Sequence, residues 1–230
     1  MTLSPTLATT AAATLLALSL FARPAVADEA GLYVGANVGY TLGTYRRSDL
    51  NGALIAAVAS SGDNLVLCCS QVHDKESPWA VNVGYRFSRY LGIEASYVQL
   101  GTVRYASLGT ESSFFGSNPL AVDLNIKSRG PGLAFVGVLP MTNDWDLEAR
   151  LGGYEGKTIT QYAITAGGSP SNGSDSKTSA SLLAGIGAEY IVAAHWVLHL
   201  DYTRLNSLGE KILSKSFSVD LLTAGVNYVF

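Results

Sequence analysis

The sequence predicts an all-β chain that closes as an eight-stranded antiparallel up-and-down transmembrane β-barrel. Three observations point there. Charge is scarce: Asp, Glu, Lys and Arg make up 14% of the 230 residues, against about 25% in ordinary soluble domains, although the hydrophobic share of 48% is ordinary. Apolar residues recur at every second position in segments of roughly ten residues, the length a tilted strand needs to cross a bilayer. The connections between these segments alternate long and short. A net charge of −3 with only 15 Lys and Arg offers no footprint for nucleic acid, and two cysteines cannot make a disulfide scaffold.

The only long apolar run, Leu7 to Ala22, is followed by Pro24 and then Ala25-Val26-Ala27, a small-residue cleavage pattern. Residues 1–27 are therefore expected to be a signal peptide cut after Ala27, leaving 28–230 as the barrel domain. No Lys or Arg precedes the run. A membrane anchor is the alternative, but the run is shorter than the ~20 residues of a spanning helix. No such run recurs downstream, so the exported chain is periplasmic, secreted, or a barrel in an outer membrane.

The alternation chooses among these. In the first strand, Leu32, Val34, Ala36, Val38 and Tyr40 oppose Tyr33, Gly35, Asn37, Gly39 and Thr41. In the second, Trp79, Val81, Val83, Tyr85 and Phe87 oppose Ala80, Asn82, Gly84 and Arg86; in the third, Leu91, Ile93, Ala95 and Tyr97 oppose Gly92, Glu94 and Ser96. The fourth lies in 121–139. There Val122, Leu124, Ile126 and Ser128 alternate with Asp123, Asn125, Lys127 and Arg129 until Gly130-Pro131-Gly132, where a bulge would swap the faces. The fifth sets Trp145, Leu147, Ala149 and Leu151 against Asp146, Glu148, Arg150 and Gly152. The sixth sets Ala180, Leu182, Ala184, Ile186, Ala188 and Tyr190 against Ser181, Gly185, Gly187 and Glu189. The seventh sets Trp196, Leu198, Leu200 and Tyr202 against His199, Asp201 and Thr203, and the eighth Leu222, Ala224, Val226, Tyr228 and Phe230 against Thr223, Gly225 and Asn227. A soluble sandwich alternates too, but it would carry Lys and Glu freely on its wet face. Here the polar face is rich in glycine and small residues, which suits a crowded lumen.

The connections 42–78, 101–120, 155–178 and 206–217 are long and are expected outside. The connections 88–90, 140–144 and 193–195 are tight and expected on the periplasmic side. This places Trp145, Trp196 and Tyr228 in an inner aromatic girdle and Trp79 in an outer one. Within the first long connection, Ala53 to Ala59 reads as loop filler; the alternative is a short helix capped by Asp49 and stopped at Gly62.

The run Gly31-Leu32-Tyr33-Val34-Gly35-Ala36-Asn37-Val38-Gly39-Tyr40 resembles the first strand of the small eight-stranded OmpA-like, porin-family outer-membrane barrels. Val83-Gly84-Tyr85-Arg86-Phe87, continued through Leu91, Glu94, Tyr97, Leu100 and Gly101, is similar to their second hairpin. Leu139-Pro140 and Gly187-Ala188-Glu189-Tyr190 also look like family positions. Gly225-Val226-Asn227-Tyr228-Val229-Phe230 is similar to their C-terminal insertion signal, carried by Tyr228 and Phe230. The resemblance runs from about residue 31 to residue 230. It implies an outer-membrane location, outer-membrane lipids as partners and barrel-assembly machinery during insertion. As a departure from the pattern, the C-terminal peptidoglycan-binding domain that some relatives carry is expected to be absent. A monomer without cofactor is expected.

Eight strands leave an interior just wide enough for side chains to fill. The charges expected inside are Arg86, Glu94, Asp123, Lys127, Arg129, Asp146, Glu148, Arg150, Glu189 and Asp201, with Arg86, Glu94, Glu148, Arg150 and Glu189 as the core of a lumen charge network. Mixed signs at close quarters favour paired plugs, since an unpaired buried charge is costly. A narrow, low-conductance ion path is the alternative. A lipid-modifying barrel enzyme would need a Ser–His–acid set facing lipid, whereas His199 and Asp201 face the lumen with no serine partner evident. His73 beside Asp74 and Glu76 lacks a second strong metal ligand. Cys68-Cys69 is not a C-x-x-C pattern, and a vicinal disulfide, intermolecular bonds and free thiols all remain open. Residues 152–158 mimic a phosphate loop one residue short, and 166–181 reads as a flexible Gly/Ser/Asn loop. The function expected is a non-enzymatic outer-membrane barrel with an envelope role and loops available for surface contacts.

Overall fold

The computed structural model describes residues 30–42, 47–60, 62–74, 77–113, 116–208 and 217–230. The expected signal peptide lies outside the described residues. In chain order the elements are β1 (Gly31–Leu42), α1 (Arg47–Ala59), β2 (Asn64–Asp74), β3 (Trp79–Arg86), β4 (Leu91–Ser113), β5 (Gly116–Pro140), β6 (Trp145–Ala166), β7 (Ser169–Ala193), β8 (Trp196–Leu208) and β9 (Phe217–Val229). No helix among the described residues is long and apolar enough to cross a membrane.

Eight strands close a ring in the order β1-β3-β4-β5-β6-β7-β8-β9, every contact antiparallel. Following register partners from Leu32 through Tyr85, Ile93, Phe135, Leu151, Ala184, Arg204 and Asp220 returns to β1 at Leu42, ten residues further on. For eight strands that stagger corresponds to a tilt of about 40°. Closure leaves no unpaired strand edge within the lipid, where none could be solvated.

The faces follow from what surrounds each strand. In the lower barrel Leu32, Val34, Val81, Val83, Leu147, Leu151, Leu198 and Leu200 are all exposed to the lipid side, while their alternate neighbours are buried inside. The strands, however, do not stop at the membrane. β4, β5, β6 and β7 are 22 to 25 residues long, so most of the expected outer loops 101–120 and 155–178 are ladder. The 166–181 stretch is a hairpin turned at Gly167 and Gly168, both with positive φ (56° and 85°), the backbone a tight two-residue turn requires.

The missed element is β2. It pairs with residues 103–112 of β4, on the same edge that β3 occupies lower down. β2 ends at Asp74 and β3 begins at Trp79, directly after Pro78, which cannot donate to a ladder. Together β2-β4-β5-β6-β7 form a sheet that rises beyond the ring.

Above the lipid the polarity inverts, because water now lies outside. In β5 even-numbered residues point inward from Leu120 to Val138 without interruption, and the β5–β6 register passes Gly130-Pro131-Gly132 unshifted. No bulge swaps the faces there. Val122, Leu124 and Ile126 therefore face inward, and Asp123, Lys127 and Arg129 face outward; the expectation that these three charges line the lumen is corrected. β4 changes phase instead, at a bulge between Gln99 and Thr102 where Gly101 adopts φ 85°. The inward series Glu94, Ser96, Val98, Leu100 continues above it as Val103, Tyr105, Ser107.

The inverted face packs on α1, so Ala53–Ala59 is helical rather than loop filler. Leu50, Leu54 and Val58 recur every fourth residue and form one stripe. They meet Tyr105, Ile126, Leu65, Leu120 and Val122. The Tyr105 hydroxyl donates to Asn51 Oδ1 at 2.7 Å. The helix begins at Arg47, two residues before the expected cap Asp49. It ends where Gly62, with φ 88°, donates to the Ala59 carbonyl at 3.0 Å.

Candidate functional site: the barrel lumen

The lumen is stratified. On the periplasmic half, β3 contributes Arg86, β4 Glu94, β6 Glu148 and Arg150, β7 Glu189, and β8 His199 and Asp201, all buried. Strand alternation aims each inward, and the tilt brings residues from distant strands to one level. Arg86 bonds Glu189 and lies 3.4 Å from Glu148. Arg150 reaches Glu148 at 2.5 Å, Asp201 at 2.6 Å and Glu94 at 3.5 Å. Asp201 also engages His199 Nδ1 at 2.5 Å. Two guanidiniums thus bridge four carboxylates. All five network residues expected from sequence meet here, with Asp201; Asp146 is buried on the same inward face of β6.

Three neutral members complete it. The Tyr33 hydroxyl donates to Glu94 Oε2 at 2.9 Å, and Asn82 Nδ2 donates to Glu94 at 3.0 Å and to Asn227 Oδ1 at 3.2 Å. Arg86 also stands 5.8 Å from the centre of the Tyr33 ring, within cation–π range. Glycine makes the room. A Cβ on Gly84 would fall 2.1 Å from the Tyr33 ring, and one on Gly187 2.1 Å from Asp201 Oδ1. Gly84→Ala is therefore expected to push Tyr33 off Glu94 and lower stability by about 1–3 kcal/mol. Urea unfolding of the refolded variant checks this; an unchanged midpoint would contradict it.

Above the charges sits an apolar collar: Val98, Leu100, Ala134, Tyr154, Leu183, Leu205, Val219 and Leu221. A cavity of about 50 Å³ is shared by the two layers, bordered by Asn82, Glu94 and Arg150 below and by Val98, Leu183 and Leu205 in the collar; that is room for a few waters. Above the collar come α1 and its apolar bed.

Aromatic residues pair at both ends of the ring. At the periplasmic end Trp145 pairs with Tyr190 (4.8 Å between ring centres), and Tyr228 pairs with Trp196 and Phe230 (5.1 Å each). At the outer end Trp79 stands 6.3 Å from Tyr97. The C-terminal segment is built into the wall: the Phe230 amide donates to the Leu32 carbonyl at 2.9 Å.

Other candidates fall elsewhere. Among the described residues no group of three potential metal ligands occurs. His73 is exposed on β2, and the phosphate-loop mimic is part of β6. Cys68 and Cys69 are free, exposed thiols at a bulge in β2. Hydrogen bonding from Cys68 and then its charge push the Cys69 thiol up.

"Outer membrane protein A" of Yersinia pseudotuberculosis is 28% identical over 148 residues, covering 64% of this chain and 38% of that protein. That of Serratia marcescens is 28% identical over 151 residues, with the same coverage. The chain thus spans well under half the length of these relatives. Among solved structures, the attachment invasion locus protein Ail of Yersinia pestis aligns over 88% of this chain and 99% of that chain, with TM-score 0.43 and 14% identity. The model of the outer membrane protein beta-barrel domain matches residues 12–230, and the chain belongs to that family of outer-membrane barrels.

Proposed function

We propose that this protein is a structural, non-enzymatic barrel of the outer membrane whose lumen is sealed and whose outer sheet is available for surface contacts. The observation that supports this best is the double closure of the lumen. A bridged charge layer and an apolar collar follow one another along the barrel axis. An ion entering the collar would shed water against Leu183, Leu205 and Leu221, with no charged side chain in the collar to offset that cost. The narrow-pore reading draws on the small cavity shared by the two layers, which is lined by Glu94 and Arg150 on one side and by Leu183, Leu205 and Leu221 on the other. Against enzymatic use, Asp201 occupies His199 Nδ1, and the His199 ring lies so close to Gly225 that a Cβ there would meet Nε2 at 2.6 Å. Both residues lie inside the barrel, away from acyl chains.

On this reading the partners are the surrounding lipids and, during insertion, the barrel-assembly machinery addressed by Tyr228 and Phe230. The protein works as a monomer without cofactor. Deleting its gene in the Gram-negative host is expected to raise sensitivity to detergents and to large antibiotics, restored by the wild-type chain. Unchanged sensitivity would remove the envelope role.

A further inference from the structure

We infer that Arg129, Lys157 and Lys127 form a site on the outer wall for the phosphate groups of outer-leaflet lipid headgroups. All three point outward and are exposed. Arg129 on β5 is the direct register partner of Lys157 on β6, and Lys127 follows two residues above Arg129 on the same face. Directly opposed like charges on one sheet face repel. Neither Arg129 nor Lys157 makes an ion pair or side-chain hydrogen bond among the described residues. The next cation, Arg104, is differently placed: Asp123 holds it at 2.5 Å and pushes its guanidinium up, first by hydrogen bonding and then by charge.

Their height is fixed by register. Arg129 is the partner of Gln99, which lies two residues beyond the girdle residue Tyr97 on β4. Below them on the same wall the lipid-facing residues are Leu133, Phe135 and Leu151. The cations therefore stand just above the apolar band, where headgroups lie. The nearest acid on that face in sequence is Glu155, two residues below Lys157 on β6. A phosphate between Arg129 and Lys157 would turn a repulsive pair into a bridged one, with a planar fork on one side and a point charge on the other. The site does not depend on whether the lumen conducts.

The test is a titration of the full chain, refolded in phosphatidylcholine nanodiscs, with lipid A as the probe and native mass spectrometry as the readout. Wild type is expected to bind lipid A at least tenfold more tightly than the R129Q/K157Q double variant. R89Q, which removes a cation at the periplasmic turn, is expected to bind like wild type. Both altered residues are exposed, so the variant should still migrate as a folded barrel; if it does not refold, K127Q is read in the same titration. Equal binding by wild type and the charge-deleted variant overturns the site. Equal weakening by R89Q reduces it to general charge attraction and overturns it as well. Inorganic phosphate alone binding as tightly as lipid A, and displacing it, would make this a free-phosphate site and overturn the lipid assignment.

Discussion

Replacing Arg150 by alanine is expected to lower the unfolding free energy of the barrel by about 3–5 kcal/mol, the usual consequence of removing one partner from a buried ion network. Arg150 is the hub. Its guanidinium answers Glu148, Asp201 and Glu94 at 2.5, 2.6 and 3.5 Å, and every group involved is buried. Without it three carboxylates face one another in a space water reaches poorly. Arg86, already shared by Glu189 and Glu148, cannot serve them all. Tryptophan fluorescence during urea unfolding of the refolded protein measures the loss. Arg104→Ala is the contrast: its pair with Asp123 is exposed on the outer wall, solvent screens it, and the midpoint should hardly move. Equal responses from the two variants would contradict the claim that the lumen network, rather than charge pairing in general, holds the barrel.

Tyr105→Ala is expected to have an effect of similar size on a different unit. Tyr105 is fully buried between Leu50 of α1 and Ile126 of β5, and truncating a buried aromatic costs about 3–5 kcal/mol. The loss should fall on the packing of α1 against the outer sheet, because the membrane ring shares none of these contacts. Limited proteolysis should then cut within 47–59 while the heat-modifiable migration of the barrel persists. Tyr105→Phe removes only the bond to Asn51 and should cost about 0.5–1.5 kcal/mol. Loss of the migration shift in Tyr105→Ala would show that the outer sheet and the membrane ring unfold as one.

The membrane half of this fold was legible because one physical rule governs it. Lipid outside and a crowded interior give a period of two whose apolar face has a known direction, so β1, β3, the lower part of β4 and β6 to β9 read correctly through their lipid-crossing residues. Alternation alone does not say which face is inside once the lipid ends. Val122, Leu124 and Ile126 look like a lipid face, yet they pack on α1, and Lys127 and Arg129 look like lumen charges, yet they face out. β2 was hidden for a related reason: the bulge at Cys68-Cys69 breaks its alternation. The polar extension of β7, Ser169 to Ala180, owes its strand to pairing with β6 rather than to its composition.

The charged members of the site, Arg86, Glu94, Glu148, Arg150 and Glu189, were legible because charge is rare on these strands and falls on one face. Tyr33, Asn82 and Asn227 were not, because their roles depend on register. Asn82 and Asn227 are 145 residues apart in sequence, and nothing local in either strand shows that the barrel brings them together.

A lumen closed at two levels carries no ionic current. Planar-bilayer recording of the refolded full chain tests it most directly. A closed lumen gives a flat baseline without discrete steps at any applied potential the bilayer survives. Reproducible channel openings from the wild-type protein, at the same preparation purity and with the folded migration pattern, would contradict it.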